Sequence, residues 1–194
     1  MNNLLILFTF FIVHNATAQV ALPPVATVSA VDLHQYLGVW YEIAAIPQFF
    51  ERQCVGNTTA EYSLAENDFI LVMNSCDRSD GKSSVAHGRA KVIDHISNAK
   101  LTVTFVHFLG WQFILGGDYW ILAIGDHYSY AVVGSPNRKY AWILSRTPVM
   151  PLPLLSEALL TLTNQGFDAC SLLSTPQNSG LQTRTPICKI GTLK

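Results

Sequence analysis

The sequence is poor in charged residues. Of its 194 residues, 13% are Asp, Glu, Lys or Arg, whereas 49% are hydrophobic; globular proteins usually have about 25% charged residues. The 12 basic and 13 acidic residues leave a formal net charge of −1. This composition excludes intrinsic disorder, and the absence of a basic excess argues against nucleic acid as a partner. At roughly 100–200 residues per domain, the length indicates one domain.

The chain also lacks a hydrophobic run that could span a bilayer, which takes about 20 residues. The apolar segment 4–13 (LLILFTFFIV) is shorter and suits the core of a signal peptide, and Ala16-Thr17-Ala18 predicts cleavage before Gln19. No lipobox cysteine lies near that site. We expect a signal peptide at 1–18, an extension at 19–30, and an exported protein, periplasmic or secreted, whose contact with the outer membrane is peripheral at most.

Cysteines are few, and export favours their pairing as disulfides. The four cysteines, Cys54, Cys76, Cys170 and Cys188, allow three connectivities. Cys54–Cys76 with Cys170–Cys188 is favoured because Cys54 and Cys76 flank one predicted hairpin. Strict alternation would put these two on opposite faces of the hairpin, an objection that a bulge near Gly56 would remove. A bridge from one hairpin cysteine to the C-terminal tail is the alternative.

Alternation of apolar and polar residues dominates the middle of the chain. In residues 86–92, small apolar residues alternate with His87, Arg89 and Lys91, as in an antiparallel sheet with one wet face. The pattern predicts eight strands, at about 39–46, 54–63, 68–76, 84–94, 99–107, 117–125, 128–134 and 139–146. Short connections indicate an up-and-down barrel or a sandwich. Regularly spaced leucines predict one helix over about 153–165, packed outside. The segment 174–194, which includes the C-terminal tail at 178–194, is rich in Ser, Thr, Pro, Gln and Gly and is expected to be loose unless Cys188 holds it.

An eight-stranded barrel either fills its interior with side chains or encloses one small ligand. Many of the residues that alternation turns inward are small, which favours a cavity, although a packed core is the alternative. The predicted ligand-lining residues are Ala44, Ala60, Leu71, Met73, Ala86, Val103, Phe105, Tyr119, Ile121, Val133, Tyr140 and Trp142, with Gly88, Ala90 and Ala131 on the same faces.

Three motifs occur in order along these strands. They are GVWYE at 38–42 after a short helical turn at 31–36, GDYWILAIGDHY at 117–128, and YAWILSRTP at 140–148. Over about 31–177 the chain thereby resembles the lipocalin family, in the branch of bacterial lipocalins, apolipoprotein D and plant temperature-induced lipocalins. The resemblance implies an all-β fold: an eight-stranded antiparallel up-and-down β-barrel with one C-terminal α-helix packed outside.

Following the strands up and down places parts of these three motifs at one end of the barrel. Gly38, Trp40, the turn at Asp126 and Arg146 are expected at the same, closed end of the barrel. The Arg146 guanidinium can lie on the Trp40 ring and donate hydrogen bonds to backbone carbonyls of neighbouring turns. These four residues are therefore interpreted as structural.

At the open end, the loop 107–117 is unusually apolar for a connection exposed to water. It contains Phe108, Leu109, Trp111, Phe113, Ile114 and Leu115. One interpretation is a contact with a membrane or a hydrophobic partner. The other is a lid that folds over the mouth and is buried there.

The resemblance implies a carrier of a small apolar ligand, in membrane maintenance or stress response. A lysophospholipid or fatty acid is favoured, because a membrane retains single-chain lipids only weakly. An isomerase-type enzyme using Cys54 is one alternative, and a filled-barrel interaction protein that uses the loop 107–117 is another. Whether the protein forms a homodimer is left open by the sequence. No catalytic set, metal site or cofactor is expected, since the six histidines are scattered.

Overall fold

The computed structural model describes residues 22–65 and 69–190, so the expected signal peptide at 1–18 lies outside the described residues. Within them are two α-helices, α1 (Leu33–Tyr36) and α2 (Leu152–Asn164), and nine strands. The strands are β1 (Gly38–Ala45), β2 (Cys54–Leu64), β3 (Ile70–Arg78), β4 (Ser83–Val92), β5 (Lys100–Thr104), β6 (Gly117–Ile124), β7 (Tyr130–Gly134), β8 (Ala141–Ser145) and β9 (Leu173–Ser174).

The first eight strands form a closed antiparallel barrel. Each strand pairs with the next from β1 to β8, and β8 pairs with β1. The predicted barrel is therefore confirmed, with differences at the strand ends. Strand β5 ends at Thr104 rather than near 107, and β8 begins at Ala141 rather than near 139.

The ninth strand completes the wall where β1 and β2 separate. Their pairing runs only from Gly38–Tyr41 to Thr59–Tyr62, and beyond it β9 pairs with the end of β1. The following segment 175–178 then fills the gap: the Asn57 N–H donates to the Pro176 carbonyl at 2.7 Å. Residues 173–178 are thus built into the barrel wall, and the Cys170–Cys188 disulfide holds the segment that follows, which is the condition under which the sequence predicts an ordered tail.

Helix α2 covers one outer side of the barrel, as predicted. It begins beside Pro153, which suits a first helical turn. Its buried residues, Leu155, Leu159 and Leu162 among them, pack in one cluster with outward side chains of β1, β6, β7 and β8. Gly166 follows the helix with a φ of +78°, the left-handed conformation that ends many helices. In the described ranges, no helix combines the length and apolarity needed to cross a membrane.

Both disulfides have the favoured pairing, Cys54–Cys76 and Cys170–Cys188. The ladder between β2 and β3 shifts register on both sides of Gly56. These irregularities are the bulge that lets Cys54 and Cys76 reach each other from positions that strict alternation would separate.

Candidate functional site

One end of the barrel is closed by Trp40 and Arg146. Trp40 is fully buried, and the Arg146 guanidinium carbon lies 3.7 Å from the centre of its ring. Arg146 also donates to the carbonyls of Val39, at 2.9 Å, and Gln35, at 2.6 Å. These contacts confirm the predicted arrangement. They attach the last barrel strand to the first strand and to the segment of α1.

Gly38 and Asp126 lie at this end as well. Gly38 has a φ of +91°, and a Cβ added there would be 3.6 Å from an Arg146 nitrogen. Asp126 begins the 3₁₀ turn that connects β6 to β7, and its carbonyl accepts from the Ser129 N–H at 3.1 Å. Both residues thus shape the closed end, and neither faces the lumen mouth.

Inside the barrel, next to the end that Trp40 and Arg146 close, one tyrosine hydroxyl lies within hydrogen-bonding distance of two others. The Tyr119 hydroxyl lies 2.8 Å from that of Tyr36 and 2.9 Å from that of Tyr62. Burial raises the pKa of all three phenols, that of Tyr62 to about 12. Next to them is an apolar void of about 10 Å³, about enough for one water molecule.

Strand register shows which predicted lining residues face the lumen. Trp40, Ala60, Asn74 and Ala86 are successive cross-strand partners, and Trp40 lies inside. The strand register and the buried hydrophobic cluster around Trp40 place most of the predicted lining residues on the inner wall. These are Ala60, Ala86, Gly88, Ala90, Val103, Phe105, Tyr119, Ile121, Ala131, Val133 and Trp142. Tyr140 precedes β8 at the open end and stacks on Trp142 with ring centres 6.1 Å apart.

Three predicted lining residues are wrong. Ala44 faces outward, under α2, because the ladder between β1 and β8 shifts register between Glu42 and Ala44. Leu71 and Met73 are on the outer wall, opposite Arg89 and His87 respectively. In β3 the inward positions belong instead to Ile70 and Val72, which are buried in the interior cluster.

A second pocket, of about 80 Å³, lies at the open end. We call it the mouth pocket; it is lined by Glu42, Ala45, Pro47, Gln48, Glu51, Arg52, Cys54, Thr58, Leu173, Thr175 and Arg184. It therefore lies between the end of β1, the turn that leads to β2, and the tail. Sequence reasoning missed Glu51 and Arg184, because strand alternation carries no information about turns and tails.

The mouth pocket contains two carboxyl groups, those of Glu42 and Glu51. Glu42 is 7% exposed and accepts a hydrogen bond from the Thr175 hydroxyl, and its burial raises its pKa. Burial and then the proximity of Glu42 raise the pKa of Glu51 to about 8, against the opposing effects of Arg184 and of a hydrogen bond from the Trp142 side chain. Glu51 is therefore mostly protonated at neutral pH.

The interior is more filled than the small lining residues led us to expect. Pockets that hold drug-sized ligands usually measure about 300–1,000 Å³, whereas the two described here measure about 10 and 80 Å³. The Phe105 ring contributes to the filling, since it lies 2.8 Å from where a Cβ on Gly88 would be. A long-chain ligand would therefore have to displace side chains of the lumen.

The apolar loop 107–117 does not cover the mouth. Phe113 stacks on Phe69 at 5.5 Å, and Arg89, on the outer wall of β4, lies under the Trp111 ring. The loop thus folds back over the outside of the barrel, and the interpretation as a buried lid is wrong. Four of its apolar side chains stay exposed: Phe108 (71%), Leu109 (92%), Ile114 (92%) and Leu115 (65%).

The described residues offer little for catalysis or metal binding. The disulfide with Cys76 removes the Cys54 thiol, so this residue has no thiolate to act as a nucleophile. Within 22–65 and 69–190, no three His, Cys, Asp or Glu side chains are grouped as metal ligands. What the site combines is an apolar inner wall, a closed floor and a polar mouth.

A barrel closed at one end by the Trp–Arg contact and open at the other defines a class of binding proteins. A family model described as a lipocalin-like domain matches residues 31–177. The chain belongs to the lipocalin family. It is 36% identical to temperature-induced lipocalin-1 of Arabidopsis thaliana, over 78% of this chain and 82% of the relative.

Two further relatives have comparable similarity. The outer membrane lipoprotein Blc of Escherichia coli K12 is 35% identical, over 78% of this chain and 83% of that protein. Apolipoprotein D of Rattus norvegicus is 36% identical, over 75% and 77%. Among solved structures, insecticyanin of the tobacco hornworm Manduca sexta superposes with a TM-score of 0.65 at 24% identity, covering 86% of this chain and 95% of that one. At that identity the likeness shows the fold alone.

Proposed function

We propose that this protein binds and carries a single-chain lipid, a lysophospholipid or a fatty acid, without chemical turnover. The observation that carries the proposal is the barrel itself, which has a closed floor, an apolar inner wall and one open end. Family membership supports a small hydrophobic ligand, and the single-chain lipid is the finer step that we add.

Chain burial favours this ligand class. Moving an acyl chain from water into an apolar site stabilises the complex by about 0.8 kcal/mol per methylene. A two-chain phospholipid gains a similar stabilisation from its own bilayer, whereas a single-chain lipid is held there only marginally. A protein can therefore compete with the membrane for the single-chain lipid.

Ligand entry requires the open end to rearrange. Phe105 is 43% exposed at the mouth, and Trp142 with its stacked neighbour Tyr140 lies across the lumen wall. Moving these side chains would connect the mouth pocket with the interior, while the Trp40–Arg146 floor stays in place.

Export and a peripheral membrane contact complete the proposal. Two disulfides are typical of proteins that fold outside the cytosol. Apolar side chains protrude at the open end on two loops, Phe49 in one and Leu109 and Ile114 in the other. Such side chains suit insertion into a membrane surface, from which a lipid could be collected. Membrane maintenance under stress is the role that we propose for such a carrier.

Displacement of a fluorescent fatty acid from delipidated protein tests the proposal. We expect saturable binding that palmitate and palmitoyl lysophosphatidylcholine compete away. Ala86→Trp, on the inner wall at the mouth, should reduce the affinity at least tenfold. Val85→Trp, one residue along the same strand but on the exposed outer wall, should leave it unchanged. Absence of saturable binding to the wild type, or equal effects of both variants, would contradict the proposal.

The small voids favour one other candidate, an interaction protein with a filled barrel. In that case Leu109 and Ile114, both 92% exposed, would contact a protein partner or a second copy of this chain. Size-exclusion chromatography of delipidated protein separates the candidates. A lipid-independent dimer that Leu109→Ser dissociates would favour the interaction protein, whereas a monomer that binds lipid favours the carrier.

A further inference from the structure

The mouth pocket has the dimensions of a small polar group. Its volume of about 80 Å³ is several times the roughly 10–15 Å³ that one water requires. It is too small for an acyl chain, which would occupy the lumen below. The pocket adjoins that lumen through Glu51, which accepts a hydrogen bond from the inward-facing Trp142.

The acidic side chains that line this pocket are more buried than the basic ones. Glu42 is buried, and Glu51 is half-buried. The two cationic residues, Arg52 and Arg184, are exposed to solvent. Water therefore stabilises the cations, whereas for both carboxyl groups the cost of burial outweighs the attraction of Arg184 and their hydrogen bonds from Thr175 and Trp142.

A mobile cation would satisfy this arrangement. Two carboxyl groups that share a low-dielectric site cannot both ionise readily, and an added positive charge between them relieves the repulsion. Trp142, whose ring stacks on that of Tyr140, reaches the pocket through its hydrogen bond to Glu51.

We propose that the mouth pocket binds the ammonium group of a zwitterionic lysophospholipid, held by Glu42 and Glu51, with the phosphate directed to Arg184. This inference rests on the proposed function and specifies its headgroup. It distinguishes the zwitterionic ligand from a fatty acid, whose lone carboxylate would face the two buried carboxyl groups. Arg184 lies at the pocket's outer side, where its guanidinium donates to the Cys54 carbonyl at 3.3 Å.

Ligands that have the same acyl chain but different headgroups test the headgroup assignment. We expect the wild type to bind palmitoyl lysophosphatidylcholine at least tenfold more tightly than palmitate or palmitoyl lysophosphatidylglycerol at pH 8. Glu51→Gln should reduce that ratio to about one, because it removes the charge and keeps the shape. Glu61→Gln, on the outer wall opposite Met73, is the control and should keep the wild-type ratio.

Proton release gives a second measurement. The charged groups that surround Glu51 in this pocket are Glu42, Arg52 and Arg184. If an ammonium group binds there, the Glu51 carboxyl loses its proton. Calorimetry at pH 7 in buffers of different ionisation enthalpy should therefore show release of a fraction of one proton with lysophosphatidylcholine, and none in Glu51→Gln.

The outcomes separate this inference from the proposed function. If none of the lipids binds, the carrier proposal fails. If all three bind equally and Glu51→Gln changes nothing, the carrier proposal stands and the headgroup assignment is overturned. Binding of chain-free glycerophosphocholine as tight as that of the lysolipid would overturn the lipid assignment, since the pocket would then serve a soluble ammonium compound.

Discussion

At the scale of single residues, Arg146 combines three stabilising contacts at the barrel floor. Arg146→Ala removes the contact with the Trp40 ring and both bonds to carbonyls. A hydrogen bond from a charged donor contributes about 1.5–3 kcal/mol to stability, and exposure to water reduces this contribution. We expect a loss of about 2–4 kcal/mol in urea unfolding. Arg78→Ala removes an exposed ion pair with Asp80 and should cost less than about 1 kcal/mol. Equal losses would contradict the assigned role of Arg146.

Phe105 is the residue whose movement we expect to control entry into the lumen. Phe105→Ala removes the ring that lies against Gly88, so that less side chain must be displaced before a chain enters. Stopped-flow measurement with a fluorescent fatty acid should show association several-fold faster than in the wild type. The exposed outer-loop variant Phe108→Ala is the control, with an unchanged rate. A slower or equal rate in Phe105→Ala would show that the ring is not an obstacle.

Prediction of residue orientation from the sequence failed where both faces of a strand are covered. Alternation placed Ala90 inside, because its neighbours Arg89 and Lys91 are charged. In β3, however, the segment FILVM is apolar throughout, since its outer face is covered in part by the loop that carries Phe113. Alternation could therefore not decide whether Leu71 and Met73 face the lumen or the outside. Ala44 was misplaced because a bulge in β1, which leaves no signature in the local sequence, shifts the register.

At the scale of elements, the tail from β9 to residue 178 acts as part of the barrel wall. Gln177 is 3% exposed, and its amide donates to the carbonyls of Glu42, at 2.9 Å, and Thr58, at 3.0 Å. Gln177→Ala removes both of these buried hydrogen bonds, at about 1–3 kcal/mol for each buried group that loses its partner. We expect unfolding stability to fall by about 2–4 kcal/mol. Amide exchange should accelerate at the end of β1 and the start of β2, whereas the exposed control Gln53→Ala should change neither.

The order of the elements could be predicted, and this ninth strand could not. Turn residues and alternation placed all eight barrel strands, and leucine spacing placed α2. Strand β9 has two residues in a segment rich in Ser, Thr and Gln, a composition that is typical of loops. Its structure depends on unpaired backbone groups of β1 and β2, which become available only when the barrel forms.

At the scale of the whole molecule, the buried carboxyl groups make stability depend on pH. Burial raises the pKa of Glu51 in the folded protein to about 8, above its ordinary value of 4.5. A raised carboxyl pKa means that its contribution to stability is fully present below pH 4.5 and is lost as the pH rises towards 8. We expect the free energy of unfolding to fall by about 1 kcal/mol per pH unit between pH 6 and 8. Glu51→Gln should flatten this slope, and an unchanged slope would place the titration elsewhere.

The segment that completes the wall follows all eight barrel strands in the sequence, and this fixes the order in which the molecule can assemble. The seam between β1 and β2 cannot be sealed until residues 173–178 have been synthesised. Any shorter chain therefore has an unsealed side. The bridge from Cys170 to Cys188 encloses these residues, so it can form only after the segment that seals the barrel exists.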